Sequence, residues 1–444
     1  MMQTTPNADA AGRFIAGSRD RNLPDAVLDA ARMCLVDWFG VAIAARQEGA
    51  AQAVHRVVEG MGGGGGARTL LGHETNPAAA ALANGTMAHC LDFDDTHVGS
   101  LAHLSGPTWA ATLGVGMSLR ADAKDMLKAF VTGFEVGARV GNGGFGDALN
   151  TRTLHSTGVC GCFAAAAAAS ALYGLGANAA QNALGLAATQ AAGLTGSFGT
   201  MSKPFHAGKA AFNGVLSAQL ANAGFVSARS LIEAQDGIGA ALIQDRSKTV
   251  GSMTFQDGDW EVLKNTFKPY ASCLLTHPVI DTARKLHPRI AGRPIESVVV
   301  NVHPMAVQLA GKTNPRTPLE GKFSTAFCTA LGLSGSMVTA DDFSDERMQD
   351  PGLRDVTGRV RLNIVEGTAK TSASLVAILK DGTRLEESTP LALGNPGNPM
   401  SWADMERKFL GLTTPVMGAA ATDAFARLRG FSNARDLEAV FAGG

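Results

Sequence analysis

Charge is scarce in this 444-residue chain. Asp, Glu, Lys and Arg make up 17% of it, aromatic residues 6%, and the two signs nearly cancel, with 38 basic residues against 39 acidic ones. A disordered chain needs the opposite balance. No basic run is long enough to track phosphates, so no nucleic-acid partner is expected. The six cysteines, Cys34, Cys90, Cys160, Cys162, Cys273 and Cys328, are scattered, mostly in apolar runs. That pattern excludes a disulfide framework and any four-cysteine zinc or iron–sulfur spacing, and reads as buried thiols of a cytoplasmic protein. Long apolar runs are missing too. The Ala-rich tract from Cys160 to Leu172 falls short of the roughly 20 residues that span a bilayer, and MMQTTPNADAAGRF lacks the apolar core of a signal peptide. No membrane association is expected.

Several familiar motifs fail in context. No G-x-S-x-G elbow occurs. Gly141-Asn-Gly-Gly-Phe-Gly146 matches G-x-G-x-x-G but follows a helix rather than a strand, so a glycine loop is the better reading. Gly311-Lys312-Thr313 resembles the end of a P-loop, but Ala306 stands where the earlier glycine belongs and Asn314-Pro315 follows where a helix should start.

What is abundant is small and apolar: 45% hydrophobic residues and 53 glycines. Small residues let helices approach closely. Periodicity predicts helices over Leu23–Ala45, with Pro24 in its first turn, and over Ala78–His89, Asp125–Arg139, Cys160–Leu175, Ala179–Leu194 and Ala207–Phe225. Gly60–Gly66 must be a loop. Beyond residue 260 the pattern changes. Ile295–Val302, Val360–Val365 and Thr371–Leu379 alternate and are β-branched, which predicts strands, with helices near Ile280–Leu286, Gly321–Leu333 and Ala340–Met348. Ser401-Trp-Ala-Asp404 has capping-box character and opens a last helical stretch. The expected fold is mainly α with a smaller α+β domain: a helical domain over 1–266, an α+β domain over 267–399, and C-terminal helices over 400–444 that return to the first.

The densest chemistry lies between His89 and His103, where three carboxylates (Asp92, Asp94, Asp95), Thr96 and three histidines fall within 15 residues. If the preceding helix continued, Asp92, Asp95 and Thr96 would share one face. One such Asp would read as a helix cap; this density in a charge-poor chain reads as a site. A second segment, Gly199-Thr-Met-Ser-Lys-Pro-Phe-His-Ala-Gly-Lys209, places Lys203 before a proline, which predicts an extended backbone there. A third, Lys268-Pro-Tyr to His277, lies at the change of composition, a common place for pockets. His155 is a lone loop histidine.

Together these segments resemble the MmgE/PrpD family over nearly the whole chain. The resemblance is carried by Asn84-Gly85 leading to His89, Leu91-Asp-Phe-Asp-Asp-Thr96, Lys203-Pro-Phe-His-Ala-Gly208, Lys268-Pro-Tyr270 to His277, Leu319-Glu-Gly-Lys-Phe-Ser324, and Asn398-Pro399 before Trp402 and Lys408-Phe409. It implies a helical domain with a lid-like α+β domain, a homodimer, a small carboxylate substrate, and no metal or organic cofactor. It places catalytic positions on Asp92, Thr96, His103, His155 and Lys203, and substrate-binding positions on Lys268, His277 and Phe327. Phe327 stands near where decarboxylase-type members carry a tyrosine, and one extra residue separates Thr96 from His103.

The chemistry this implies is removal of a proton α to a carboxylate, with His103 and His155 sharing the acid and base roles. Asp92 would orient one of them with Thr96 as a hydrogen-bonding partner, while Lys203 and His277 bind carboxylates. The leading expectation is a hydro-lyase of the 2-methylcitrate dehydratase kind. Epimerisation of an iminodisuccinate-like dicarboxylate is the alternative, with decarboxylation less favoured. From a different class comes a metal-dependent hydrolase using Asp92, Asp94, Asp95 and His103.

Overall fold

Alanine and glycine decide how the helices meet. In the computed structural model, which describes residues 7–145, 149, 152–242 and 250–443, the chain divides into two units. The first takes in Met1–Cys90, Asp94–Thr266 and Met405–Gly444, the second Leu91–Phe93 and Phe267–Asp404.

The first unit is built from α1 (Asn7–Ala16), α2 (Asp25–Ala44), α3 (Gly49–Glu59), α4 (Pro77–His89), α5 (Ser105–Leu119), α6 (Ala123–Val140), α7 (Ser156–Leu172), α8 (Ala177–Ala188) and α9 (Ser202–Asn222). Every residue of α4 and α7 is buried. Such helices need small side chains on all faces, because neighbours press on every side. Gly133 of α6 shows the constraint: a Cβ there would meet the Ala164 carbonyl oxygen at 2.5 Å. Where α4 crosses α9, a Cβ on Gly208 would meet Thr86 Oγ1 at 2.1 Å and one on Gly85 would meet Gly208 Cα at 3.0 Å. This contact sets the C-terminal end of α4, with His89, beside the start of α9, with Lys203 and His206. Large side chains fill what remains: Trp109 stacks on Phe130 at 4.3 Å, and each such buried side chain contributes about 1.5–3 kcal/mol. Two short ladders complete the unit, Ala67–Arg68 (β1) with Glu74–Thr75 (β2), and Thr96–His97 (β3) with Asn265–Thr266 (β4).

The second unit carries a four-stranded sheet of β5 (Ile295–Val302), β6 (Val360–Ile364), β7 (Ala373–Leu379) and β8 (Arg384–Thr389), in the order β6-β5-β7-β8. β5 runs parallel to β6 and antiparallel to β7. Burial alternates along β7, so one face packs on helices. Val298, Val300, Leu375 and Leu379 meet Val279, Ala283 and Leu286 of α10 (His277–Ile290). α11 (Thr325–Leu333) and α12 (Pro351–Arg359) complete the layer. The chain then enters α13 (Trp402–Met417), α14 (Ala420–Arg429) and α15 (Ala434–Gly443).

The molecule is mainly α with a smaller α+β part. Several local expectations need correcting. α4 stops at His89, and Asp92 sits in the left-handed region at φ 53, so Asp92, Asp95 and Thr96 do not line one helical face. The Asp side chain is among the few that tolerate this conformation. Lys203 is not extended; it lies in the first turn of α9, where Pro204 has no intrahelical N–H to lose. α8 ends at Ala188, six residues before Leu194. β8 carries Glu386 and Glu387 on an edge strand and was not anticipated. Gly141–Phe145 forms a π-helical turn continuing from α6, while Gly146 lies outside the described residues. The Ser401 capping box is present: Asp404 Oδ2 accepts from Ser401 N at 2.8 Å, and Ser401 Oγ from Asp404 N at 3.2 Å.

Candidate active site

In the first unit the end of α4, the following loop and the starts of α7 and α9 bring imidazoles together around one carboxylate. Asp94 is fully buried. His89 Nδ1 lies 2.9 Å from its Oδ2, and His103 Nδ1 lies 3.3 Å from its Oδ1. Burial pushes the Asp94 carboxyl up, but His103 and His89 outweigh it and hold the group well below the usual carboxylate range. His89 moves the other way. Burial lowers it to about 4 against the pull of Asp94, with the Lys203 charge adding to the fall.

The ring system continues. His89 lies edge-on to His103 at 4.6 Å and stacks on His155 at 5.6 Å, and His155 meets His206 at 5.3 Å. Burial holds His155 well below the ordinary histidine value, helped by His89, Lys203, His103 and His206. It is the N-cap residue of α7, where the positive end of the helix also disfavours an imidazolium. Lys203 Nζ lies 5.8 Å from the centroid of the Phe198 ring, which itself packs edge-on to His155.

The loop bearing His103 is pinned at both ends. Thr157 Oγ1 accepts from His103 N at 3.0 Å, and Thr96 Oγ1 lies 3.4 Å from His103 Nδ1. His97, third histidine of the block, has a supporting role: its Nε2 pairs with Glu261 Oε2 at 2.9 Å and its Nδ1 contacts Ser100 Oγ at 2.8 Å.

Asp95, next to Asp94, belongs to a separate network. Its Oδ2 accepts from Ser105 Oγ at 2.6 Å, and its N–H donates to Asp37 Oδ2 at 3.0 Å. Asp37 Oδ1 in turn accepts from Lys408 Nζ of α13 at 2.6 Å. Burial and the nearby Asp37 push Asp95 up to about 8.

In the second unit Lys268 Nζ donates to the Asp92 carbonyl oxygen at 2.8 Å and lies 3.2 Å from its Oδ1. Lys322 Nζ donates to the Leu91 carbonyl oxygen at 3.3 Å. Two lysines thus grip the short 91–93 segment. His277 is completely buried, donating from Nε2 to the Ser272 carbonyl oxygen at 3.2 Å with its ring against Tyr270. Phe327 is also completely buried, 6.1 Å from the Phe343 ring. Both lie among the buried residues of the second unit, as Lys268 does.

Of the residues singled out from sequence, Thr96, His103, His155 and Lys203 therefore come together in the first unit. Asp92, Lys268, His277 and Phe327 belong to the second. Sequence reasoning gave no catalytic place to His89 or His206 and used Asp94 only as a ligand in the metal-dependent alternative, although each lies inside a motif used for the resemblance; the signal was there, but separating neighbouring acids and histidines needs three dimensions. For a metal, the set that converges is His89, Asp94 and His103, whose ligand atoms lie within 4.8 Å of one another. Asp95, included in the metal reading, is engaged with Ser105 and Asp37 instead.

Models of the MmgE/PrpD N-terminal and C-terminal domains match residues 10–250 and 270–429. The chain belongs to the MmgE/PrpD family. Among characterised members, it is 25% identical to a cis-aconitate decarboxylase of Homo sapiens over 380 residues, 82% of this chain and 77% of that protein. It is 26% identical to a cis-aconitate decarboxylase of Aspergillus terreus over 359 residues, 73% of this chain and 72% of that protein. A third, from Mus musculus, is 27% identical over 350 residues, 75% and 71% of the two chains. Among the described residues no helix is long and apolar enough to cross a membrane.

Proposed function

We propose that this MmgE/PrpD protein is a cytoplasmic, cofactor-independent lyase that removes a proton α to a carboxylate of a small di- or tricarboxylate. The observation that carries this reading is the buried Asp94 carboxylate between His89 and His103, with His155 and Lys203 alongside. A proton next to a carboxylate is hard to remove because a second charge develops on the same group. Fixed cations offset that charge, and each well-aimed donor is worth several kcal/mol in a site from which water is excluded. Lys203 supplies one such charge, and Lys268 is assigned to a substrate carboxylate in the same way. Imidazoles suit the proton transfer because they change charge near neutral pH. His103 and His155 share those roles, Thr96 holds His103, and Asp92 acts with Lys268. The working form in this reading is a homodimer.

The finer reading is dehydration, as in 2-methylcitrate dehydratases: a hydroxyl β to the new carbanion leaves with a proton from the second imidazole, and an alkene forms. Phe327 brings no hydroxyl as a further proton donor. Decarboxylation is the second reading, favoured by the names of the relatives, cis-aconitate decarboxylases of two mammals and a fungus. Epimerisation needs only the first step and its reversal on the other face.

Proton NMR in deuterated water separates these outcomes with a panel of 2-methylcitrate, citrate, cis-aconitate and iminodisuccinate. A new vinylic signal from a hydroxy acid establishes dehydration. Loss of cis-aconitate with release of carbon dioxide establishes decarboxylation. Deuterium uptake without net conversion points to the epimerase. No exchange in any member would sink the reading.

A further inference from the structure

Two histidines are candidates for the base, and a contact behind one of them decides between them. His155 Nδ1 and His206 Nδ1 lie 3.1 Å apart. Two neutral ring nitrogens at that distance share one proton, so one ring donates and the other accepts through its lone pair. Burial, with the charges of Lys209 and Lys203, lowers His206, as burial and its neighbours lower His155, so both rings are neutral at physiological pH. A neutral imidazole carries a single N–H. Fixing the tautomer of one ring therefore fixes the other.

Ser197 supplies the anchor. Its hydroxyl donates to the Leu194 carbonyl oxygen at 2.6 Å, so towards His206 Nε2, 3.5 Å away, its oxygen accepts. His206 then carries its proton on Nε2 and presents a bare Nδ1. His155 must donate Nδ1–H to it, which leaves the lone pair of His155 on Nε2.

The backbone holds this arrangement. His155 N donates to the Gly193 carbonyl oxygen at 3.0 Å, and Thr195 N to the Thr153 carbonyl oxygen at 2.8 Å, so the two loops are tied together. Gly193 packs closely under the ring: a Cβ there would lie 3.1 Å from both Cγ and Nδ1 of His206, a tight contact.

We infer that His206 is a positioning residue that locks His155 in the Nδ1–H tautomer, making His155 Nε2 the base that takes the proton α to the carboxylate. In that step the C–H electron pair stays on carbon, the proton moves to Nε2, and His155 becomes an imidazolium for the rest of the turnover. Its Nδ1–H then still points at the His206 lone pair, so the same bond that selects the tautomer stabilises the charged ring, as a carboxylate does for the histidine of a serine hydrolase. The base assignment rests on the proposed function; the tautomer does not.

The test is a long-range 1H–15N correlation spectrum of the full-length protein labelled in histidine, with His155 assigned by its disappearance in His155→Gln. The expected spectrum shows His155 protonated at Nδ1 and bare at Nε2. His206→Leu is expected to release that tautomer to a mixture and to lower kcat about 100-fold with KM within about threefold. His206→Asn offers an oxygen acceptor near the old Nδ1 position, and recovery of both the tautomer and most of kcat is expected; a fold broken at residue 206 would not give that recovery. His155 protonated at Nε2 in the parent protein overturns the inference, and so does a His206→Leu variant with unchanged tautomer and kcat. Because the tautomer is read without substrate, the two failures separate. A wrong tautomer removes this inference, whereas the right tautomer in a protein that exchanges no polycarboxylate proton removes the proposed function and the base role with it.

Discussion

Asp94 and Asp95 are adjacent, and both are completely enclosed, yet their surroundings drive them in opposite directions. Asp94 faces His89 and His103 and is held ionised. Asp95 faces Asp37 and Ser105, and burial beside another carboxylate raises it to about 8. The first region sets a carboxylate between two imidazoles, the arrangement to which the proposed function gives the proton transfer. The second ties the loop after α4 to α2 and, through Lys408, to α13. Burial alone therefore does not say what a carboxylate is for; the sign of its nearest charges does.

The sharpest way to break this contrast is on the structural side. Lys408→Met leaves Asp37 enclosed without its cation. Removing one partner of a buried pair costs about 3–5 kcal/mol, and urea unfolding should show a loss of that size. A change below about 1 kcal/mol would mean that the network is not structural. On the catalytic side, Asp94→Asn removes the charge between the two imidazoles and should lower kcat by about 100-fold with the fold retained by circular dichroism. Retention of full activity would remove Asp94 from the chemistry.

The pH dependence of Asp95 has a definite sign. Its folded value of about 8 lies above the ordinary 3.8, so between those limits the folded protein holds a proton that the unfolded chain has released. Stability from this group is full below about 4, falls as pH rises through the window, and levels off above about 8. Asp95→Asn cannot ionise. It should gain on the parent as pH rises from 5 to 8, by up to about 1.4 kcal/mol per pH unit. Parallel stability curves for the two proteins would show that Asp95 is not neutral in the fold. Smallest of all is the expected effect of a chelator: dialysis against EDTA should leave turnover unchanged. Loss of activity restored by a divalent ion would turn His89, Asp94 and His103 into a metal centre.

The legible part of this molecule was its periodicity. β5 falls on Ile295–Val302 as alternation predicts, and the helix predicted over Ala78–His89 is observed at Pro77–His89, because every side chain there is small enough for a fully buried helix. Helix starts and stops were harder. Lys203-Pro204 reads as extended, but a proline in a first turn costs nothing, and contacts along α9 favour the helix. The Asp92–Thr96 block showed that carboxylates matter without showing which one meets the histidines. That depends on a left-handed turn at Asp92, which no periodic pattern encodes. His206 was visible only as a letter in a motif, since its partner lies 51 positions away.

The most direct test compares the two neighbours in one assay. In deuterated water, with whichever panel substrate the parent protein exchanges fastest, deuterium uptake next to the carboxylate is followed by NMR for Asp94→Asn and Asp95→Asn. The account predicts that Asp95→Asn, folded at pH 7, exchanges at close to the parent rate, while Asp94→Asn loses about two orders of magnitude, the scale of a misdirected acid–base pair. Equal losses in two folded variants, or exchange undiminished in Asp94→Asn, would contradict the division of labour between these two carboxylates.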